Sequence, residues 1–225
     1  FPSLWLKFDT GMNRLGFMQN EIEKMMHRLK PFSKKIVLMT HLKSSSGKKM
    51  SRKVTNKQFN LFTKTTLNLK QKQHNFLTSV SNSGGILNFD DLSSDIERPG
   101  LSLYGSHSHN QSKNFRLKNV TTLVSKIIAI KDIKKGETVG YDGLWQAKKN
   151  TSIGIIPIGY SDGIPLNYGN KGYVLINKAK AKVIGRVAMD LIAVELPNKK
   201  VKLGDDIILW GKDLKVDELA SLTDN

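Results

Sequence analysis

The stretch from Leu4 to Leu29, L-W-L-K-F-D-T-G-M-N-R-L-G-F-M-Q-N-E-I-E-K-M-M-H-R-L, decides the first half of the fold. Leu4–Phe8 is a short apolar run that ends at Asp9, Thr10 and Gly11, residue types that close a strand in a turn. From Glu21 to Leu29 the apolar residues Ile22, Met25, Met26 and Leu29 fall on one face at helical spacing, and Pro31 stops the pattern. The same strand-then-helix unit recurs downstream. Ile36–Thr40 is rich in β-formers, Thr55 to Lys70 reads as a helix with Phe59, Phe62 and Leu69 near one face, and Phe76–Val80 is the next strand. After the turn-like Ser81-Asn82-Ser83-Gly84-Gly85, Leu101–Tyr104 is expected to be a further strand. Strands alternating with helices of this length predict βα units around a parallel sheet.

Beyond about Val120 helical spacing nearly vanishes. Short β-rich runs follow one another: Leu123–Ile130, Ile153–Ile158, Tyr173–Ile176, Ala181–Ile184, Ile192–Leu196 and Ile207–Trp210. Turn residues punctuate them at Lys135-Gly136-Glu137, Ser161-Asp162-Gly163, Pro197-Asn198 and Leu203-Gly204-Asp205. This pattern predicts an all-β domain. The expected division is an α/β domain over residues 1–110 and a β domain over 117–225, with the polar stretch Ser106 to Arg116 as linker. Residues 213–225 read as the start of a helix.

Composition narrows the function classes. With no cysteine, disulfides, thiolate metal sites and a cysteine nucleophile are excluded. The 36 Lys and Arg against 19 Asp and Glu leave a net charge of +17, which raises the question of nucleic acid. The excess is mostly lysine spread along the chain, and its densest stretch, Lys43 to Lys57, contains no aromatic residue on which bases could stack, so a solvated basic surface is expected and no nucleic-acid partner. The longest apolar runs fall far short of the roughly 20 residues of a membrane span. No leader pattern follows Phe1, and the expected compartment is the cytoplasm. Among His27, His41, His74, His107 and His109 no metal-ligand spacing stands out, and His107-Ser-His109 has no carboxylate beside it, so no metal is expected. Neither a P-loop nor a Rossmann glycine motif is present.

Seven segments then occur in a fixed order. They are W-L-K-F-D-T-G-M-N-R-L-G-F (Trp5–Phe17), T-H (Thr40, His41), S-N-S-G-G (Ser81–Gly85), R-P-G-L-S-L-Y-G (Arg98–Gly105), V-G-Y (Val139–Tyr141), I-P-I-G-Y-S-D-G (Ile156–Gly163) and V-I-G-R-V-A-M-D (Val183–Asp190). Together they resemble the alanine racemase family of pyridoxal-phosphate (PLP) enzymes, fold type III. The resemblance implies the C-terminal half of a TIM-type (β/α)8 barrel followed by an antiparallel β domain. It implies PLP-dependent interconversion of L- and D-alanine for peptidoglycan precursors, and a head-to-tail homodimer. Counted against the family, the chain begins near the fifth barrel strand. The lysine that anchors PLP would then precede Phe1, and a C-terminal tyrosine-containing segment would follow Asn225. The chain is thus expected to be a fragment, inactive in isolation.

The resemblance also assigns roles. Two bases flank the substrate α-carbon: the lysine outside this chain, and a tyrosine matching Tyr141. A phenol is a poor base at neutral pH without help, and the family supplies it through a histidine matching His41, hydrogen-bonded onward to an arginine matching Arg98. Arg98 would face the PLP ring nitrogen and, keeping its own proton, leave that nitrogen unprotonated. Arg14 matches the residue that holds the substrate carboxylate, a task suited to a guanidinium fork. It is positioned in many members by a carbamylated lysine matching Lys7, and a plain strand lysine is an equal reading there. Ser83, with the backbone around Asn82, Gly100 and Leu101, matches the phosphate cradle, and Tyr104 is placed with it. Tyr160, Met189 and Asp190 match residues that, with Tyr141, reach across the dimer interface to complete the partner's site.

The sequence departs from the family pattern in three places. Leu42-Lys43-Ser44 follows His41 where small residues and an acid are usual, Asp142 follows Tyr141 in place of glycine, and Ala188 replaces a frequent cysteine. A carboxylate facing the tyrosine base would raise its pKa. Two other readings stay open: an inactive remnant acting as a basic binding module, and a racemase for another amino acid.

Overall fold

The computed structural model describes residues 3–45, 49–107 and 117–223. They form two compact units, one built on the chain up to Leu103 and the other on Tyr104–Ser106 and the chain from Lys118 onward.

In the first unit, β1 (Leu4–Lys7), β2 (Ile36–Met39) and β3 (Leu77–Ser79) make a parallel sheet in that order. Ile36, Val37 and Leu38 of the central strand are all buried, the continuous apolar run of a strand covered on both faces. Helix α1 (Gln19–Leu29) buries Ile22 and Met26, and the Glu21 carboxylate reaches back to accept from the Met18 N–H at 2.8 Å, closing its first turn. Helix α2 (Lys49–Gln71) buries Phe62 and Leu69 against the same core, where Phe8 stacks on Phe62 at 6.2 Å. It ends in a Schellman cap: His74 N–H donates to Leu69 O and Gln73 N–H to Lys70 O, with Gln73 in the left-handed region at φ 62° where glycine is usual. Along the free edge of β3, Ile96 N–H donates to Thr78 O and Arg98 N–H to Ser81 O. Among the described residues β1 has a strand partner on one edge only.

Two segments depart from the pattern their sequence suggests. Ser83–Asn88, read as part of a turn, forms a short helix, α3, capped by the Asn82 side chain, which accepts from Gly85 N–H at 3.0 Å. Leu101–Tyr104, expected as a strand, is a 3₁₀ turn. Its preceding and internal N–H groups, those of Gly100 and Ser102, donate to Ser83 Oγ at 2.8 and 3.2 Å, so they are not offered to a neighbouring strand.

The second unit holds a seven-stranded sheet whose pairs are all antiparallel. Its strands are β4 (Leu123–Lys126), β5 (Ala129–Ile133), β8 (Thr151–Ile156), β9 (Tyr173–Ile176), β10 (Ala179–Ile184), β11 (Ile192–Glu195) and β12 (Asp206–Trp210), in the order β4-β12-β9-β10-β11-β8-β5. The run Leu123–Ile130 was expected to be one strand and is two. β4 and β5 lie at opposite ends of the sheet yet are separated only by Ile127 and Ile128, whose N–H groups donate to Asp205 O on one side and Ile155 O on the other. The sheet must therefore curl until its ends meet. Its inner face packs Ile156, Val174, Ile176, Val183, Ile192, Val194, Ile207 and Leu209. A two-stranded hairpin, β6 (Thr138–Val139) with β7 (Trp145–Gln146), carries the loop at Tyr141, and α4 (Val216–Leu222) follows the sheet.

Candidate active site

The residues singled out in the first unit lie at the carboxyl ends of its three parallel strands. Lys7 ends β1, His41 stands two residues past β2, and Ser83 stands four past β3. Ligands bind at this end of parallel sheets because the loops there are free to carry chemistry while the strands hold them.

The loop from Lys7 to Phe17 is closed on itself. Phe17 N–H donates to Lys7 O at 2.8 Å and Asp9 N–H to Phe17 O at 3.0 Å. One Asp9 carboxylate oxygen accepts from the N–H groups of Gly11, Met12 and Asn13 at 2.8, 2.9 and 3.1 Å. Burial pushes the Asp9 pKa up, but the backbone donors at Gly11, Asn13, Met12 and Arg14 together outweigh it and hold the carboxyl below its ordinary value. Gly16 is obligatory: its φ is +131°, and a Cβ there would stand 2.8 Å from Asp9 N and 3.0 Å from Lys7 O. The loop thereby fixes the backbone that carries Arg14.

His41 is half-buried and sits among cations. Burial first, then Arg98, Arg14 and Lys7, hold its pKa below the ordinary histidine value, so the ring is neutral at pH 7. A depressed pKa contributes stability that is present above the unfolded value of about 6.5 and is lost as the pH falls toward the folded value. Arg98 donates to Thr40 O at 2.5 Å, to Val80 O at 3.3 Å and to Ser79 Oγ. Among the described residues no hydrogen bond joins the His41 ring to Arg98, so the relay implied by the resemblance is here a Coulombic neighbourhood. Ser83 Oγ is the focus of a separate cradle, accepting from the N–H groups of Gly100 and Ser102 and lying 3.2 Å from Ser102 Oγ. The Asn82 side chain is engaged in holding the chain, donating to Leu42 O at 3.1 Å and accepting from Ser45 Oγ at 2.9 Å. Leu101 exposes its side chain, and Tyr104, also exposed, belongs to the second unit.

Gln58 escaped the sequence reading. It is 2% exposed on α2 and ties three pieces of the site together: its amide donates to Thr10 Oγ1 at 3.2 Å and to His41 O at 3.1 Å, and its carbonyl accepts from Lys43 N–H at 3.0 Å. Thr10 Oγ1 is in turn 2.7 Å from Thr40 Oγ1. The available signal was a polar residue on the same buried stripe of α2 as Thr55, Phe62, Thr65 and Leu69. Gln58→Leu should leave the His41 carbonyl and the Lys43 N–H without partners and lower the unfolding free energy by about 1–3 kcal/mol. Urea titration followed by circular dichroism checks this, and a change under about 0.5 kcal/mol would contradict the bridging role.

In the second unit three of the sequence motifs meet at one group of loops. Tyr160 N–H donates to Ala188 O at 3.0 Å, and Ser161 N–H and Oγ donate to Met189 O at 2.9 and 2.7 Å. Gly159 permits this approach, since a Cβ there would lie 2.3 Å from Ala188 O. The Tyr141 loop joins them through a backbone at φ 77° for Gly140 and 60° for Asp142, with Gly185 close to Val139 O. The Asp142 carboxylate pairs with Arg186 at 2.8 Å, which gives this departure from the family pattern a partner. Tyr141, Tyr160, Met189 and Asp190 are all exposed.

Two family profiles cover almost the whole chain: "Alanine racemase, N-terminal domain" matches residues 2–108 and "Alanine racemase, C-terminal domain" matches residues 120–225. The chain belongs to the alanine racemase family. An alanine racemase of Mannheimia succiniciproducens is 38% identical over 224 residues, which are 98% of this chain and 61% of that protein. The biosynthetic alanine racemase of Pseudomonas aeruginosa has a similar structure at TM-score 0.82 and 31% identity, over 98% of this chain and 61% of that one. The alanine racemase of Bartonella henselae, solved with covalently bound pyridoxal phosphate, matches at TM-score 0.79 and 29% identity over 99% of this chain and 61% of that one. The chain thus spans about three-fifths of the length of the racemases it matches.

Proposed function

We propose that this chain is the greater part of a PLP-dependent alanine racemase that interconverts L- and D-alanine in the cytoplasm, supplying D-alanine to peptidoglycan precursors. The observation that carries this reading is the gathering of Lys7, Arg14, His41 and Arg98, from separate stretches of sequence, around one carboxyl-terminal edge of a parallel sheet. The open edge of β1 supports placing that sheet in a TIM-type barrel completed by further strands.

The residues present fit PLP by the chemistry of their donors. The cradle at Ser83 offers hydroxyl and backbone N–H groups of the kind that hold a phosphate without added charge. The half-buried Arg98 is a fixed cation suited to stand by an unprotonated ring nitrogen. PLP, when bound, supplies the electron sink that acidifies the α-carbon of alanine.

The chain's own residues do the rest. Arg14, on its fixed loop, holds the carboxylate of alanine. Tyr141 moves the proton on one face of the α-carbon, and neutral His41 can accept or return that proton. Arg98 stays charged and takes no part in the transfer. The exposed Tyr141, Tyr160, Met189 and Asp190 complete the site of a second protomer in a head-to-tail homodimer. The Arg186–Asp142 pair gives the extra carboxylate a cationic partner.

The test is racemisation by the complete reading frame, purified with PLP. D-alanine should accumulate from L-alanine to an equimolar mixture, followed by a D-amino-acid oxidase assay. A pure protein that binds PLP but turns over a different amino acid would overturn the substrate assignment.

A further inference from the structure

Glu23 and His27 lie four residues apart on α1 and so share one helical face. His74 is set against them by the Schellman cap that ends α2. The ligand atoms of Glu23, His27 and His74 all lie within 4.8 Å of one another, and the two imidazole rings meet edge to face at 4.7 Å between centroids. His74 Nε2 is buried and has no hydrogen-bond partner among the described residues, an arrangement that a folded chain normally avoids. Two imidazoles and one carboxylate are the donor set that borderline divalent ions take, and an imidazole nitrogen without a partner is what such an ion would satisfy.

We infer that Glu23, His27 and His74 form a surface zinc site that staples α1 to the turn after α2. Tetrahedral coordination at a bond length near 2.0–2.1 Å needs ligand atoms about 3.3 Å apart. The three groups therefore need to close by at most roughly 1.5 Å, a rotamer-scale movement. His27 is exposed and free to make it. The Glu23 carboxylate is now paired with Lys72 at 2.6 Å, an exposed contact of the kind that is readily displaced. Three protein ligands leave the fourth position to water. The site stands on the outer helices, away from the strand ends that carry Arg14, His41 and Arg98, and it is independent of the reaction proposed above.

The test is calorimetric titration of the complete, tag-free protein with zinc chloride, with magnesium chloride as the hard-ion control. One zinc per chain is expected, with a dissociation constant of micromolar order, and no magnesium uptake. E23Q, H27A and H74Q should each weaken zinc binding at least tenfold, with circular dichroism unchanged for the exposed H27A variant. Zinc should also raise the thermal midpoint of the native chain and leave that of H74Q unmoved. The variant H107A/H109A should bind as the native chain does. Absence of saturable zinc uptake, equal affinity in H27A and H74Q to the native chain, or loss of binding in H107A/H109A would each overturn the site.

Discussion

Tyr141→Phe in the complete protein should reduce α-proton exchange on L-alanine by about 10²- to 10⁴-fold, the range lost when a positioned acid–base group is removed. Exchange on D-alanine should fall far less, because the base on the opposite face remains. The physical case rests on how little else the hydroxyl does. Tyr141 is 67% exposed, and among the described residues its hydroxyl has no hydrogen-bond partner. Its position comes from the backbone, through Gly140 at φ 77° and Gly143 at φ 57°, and not from the phenolic oxygen. The variant should therefore melt within about 0.5 kcal/mol of the parent. Proton exchange in deuterated buffer, read by NMR from each enantiomer, separates the two faces. Equal losses from L- and D-alanine would remove Tyr141 from the two-base scheme.

The same residue shows what the sequence could and could not convey. Tyr141, Tyr160 and Met189 were identified by their motifs, and the motifs proved to be the loops that touch: the Tyr160 backbone on Ala188, Ser161 on Met189, and Asp142 on Arg186. Periodicity gave the parallel strands because Ile36–Leu38 is an unbroken apolar run, and it gave the β-rich second half because turn residues separate its strands. It failed where local preference is overruled by tertiary contacts. Gly84 and Gly85 are poor helix formers, yet α3 forms because Asn82 caps it, and glycine is needed at position 84 because a Cβ there would stand 2.4 Å from Ser45 Oγ. Leu101–Tyr104 has strand composition but its neighbourhood's N–H groups go to a serine hydroxyl. Gln58 and the grouping of His74 with Glu23 and His27 escaped for a simpler reason: the partners of Gln58 and of His74 come from distant segments, and only folding brings them together.

Arg98 offers the sharpest separation of charge from geometry. Arg98→Leu should destabilise the first unit by about 3 kcal/mol, since it removes a charged donor from Thr40 O, Val80 O and Ser79 Oγ and leaves those acceptors inside the fold. At roughly 2–4 °C per kcal/mol, the thermal midpoint should fall by about 6–12 °C. Arg98→Lys keeps the charge and loses the planar fork, so it should recover only part of that loss. The two variants should differ in the opposite sense at His41. Burial is the larger cause of its depressed pKa and persists in both, whereas the repulsion from Arg98 persists only in the lysine variant. The His41 pKa should thus rise part of the way toward 6.5 in Arg98→Leu and stay low in Arg98→Lys. The destabilisation seen on lowering the pH below about 6.5 should be correspondingly shallower in the leucine variant, because its folded state resists protonation less. An NMR titration of His41 in the two variants reads this directly. If the His41 pKa is the same in both, the guanidinium acts on this histidine only through packing, and the electrostatic account of the site fails.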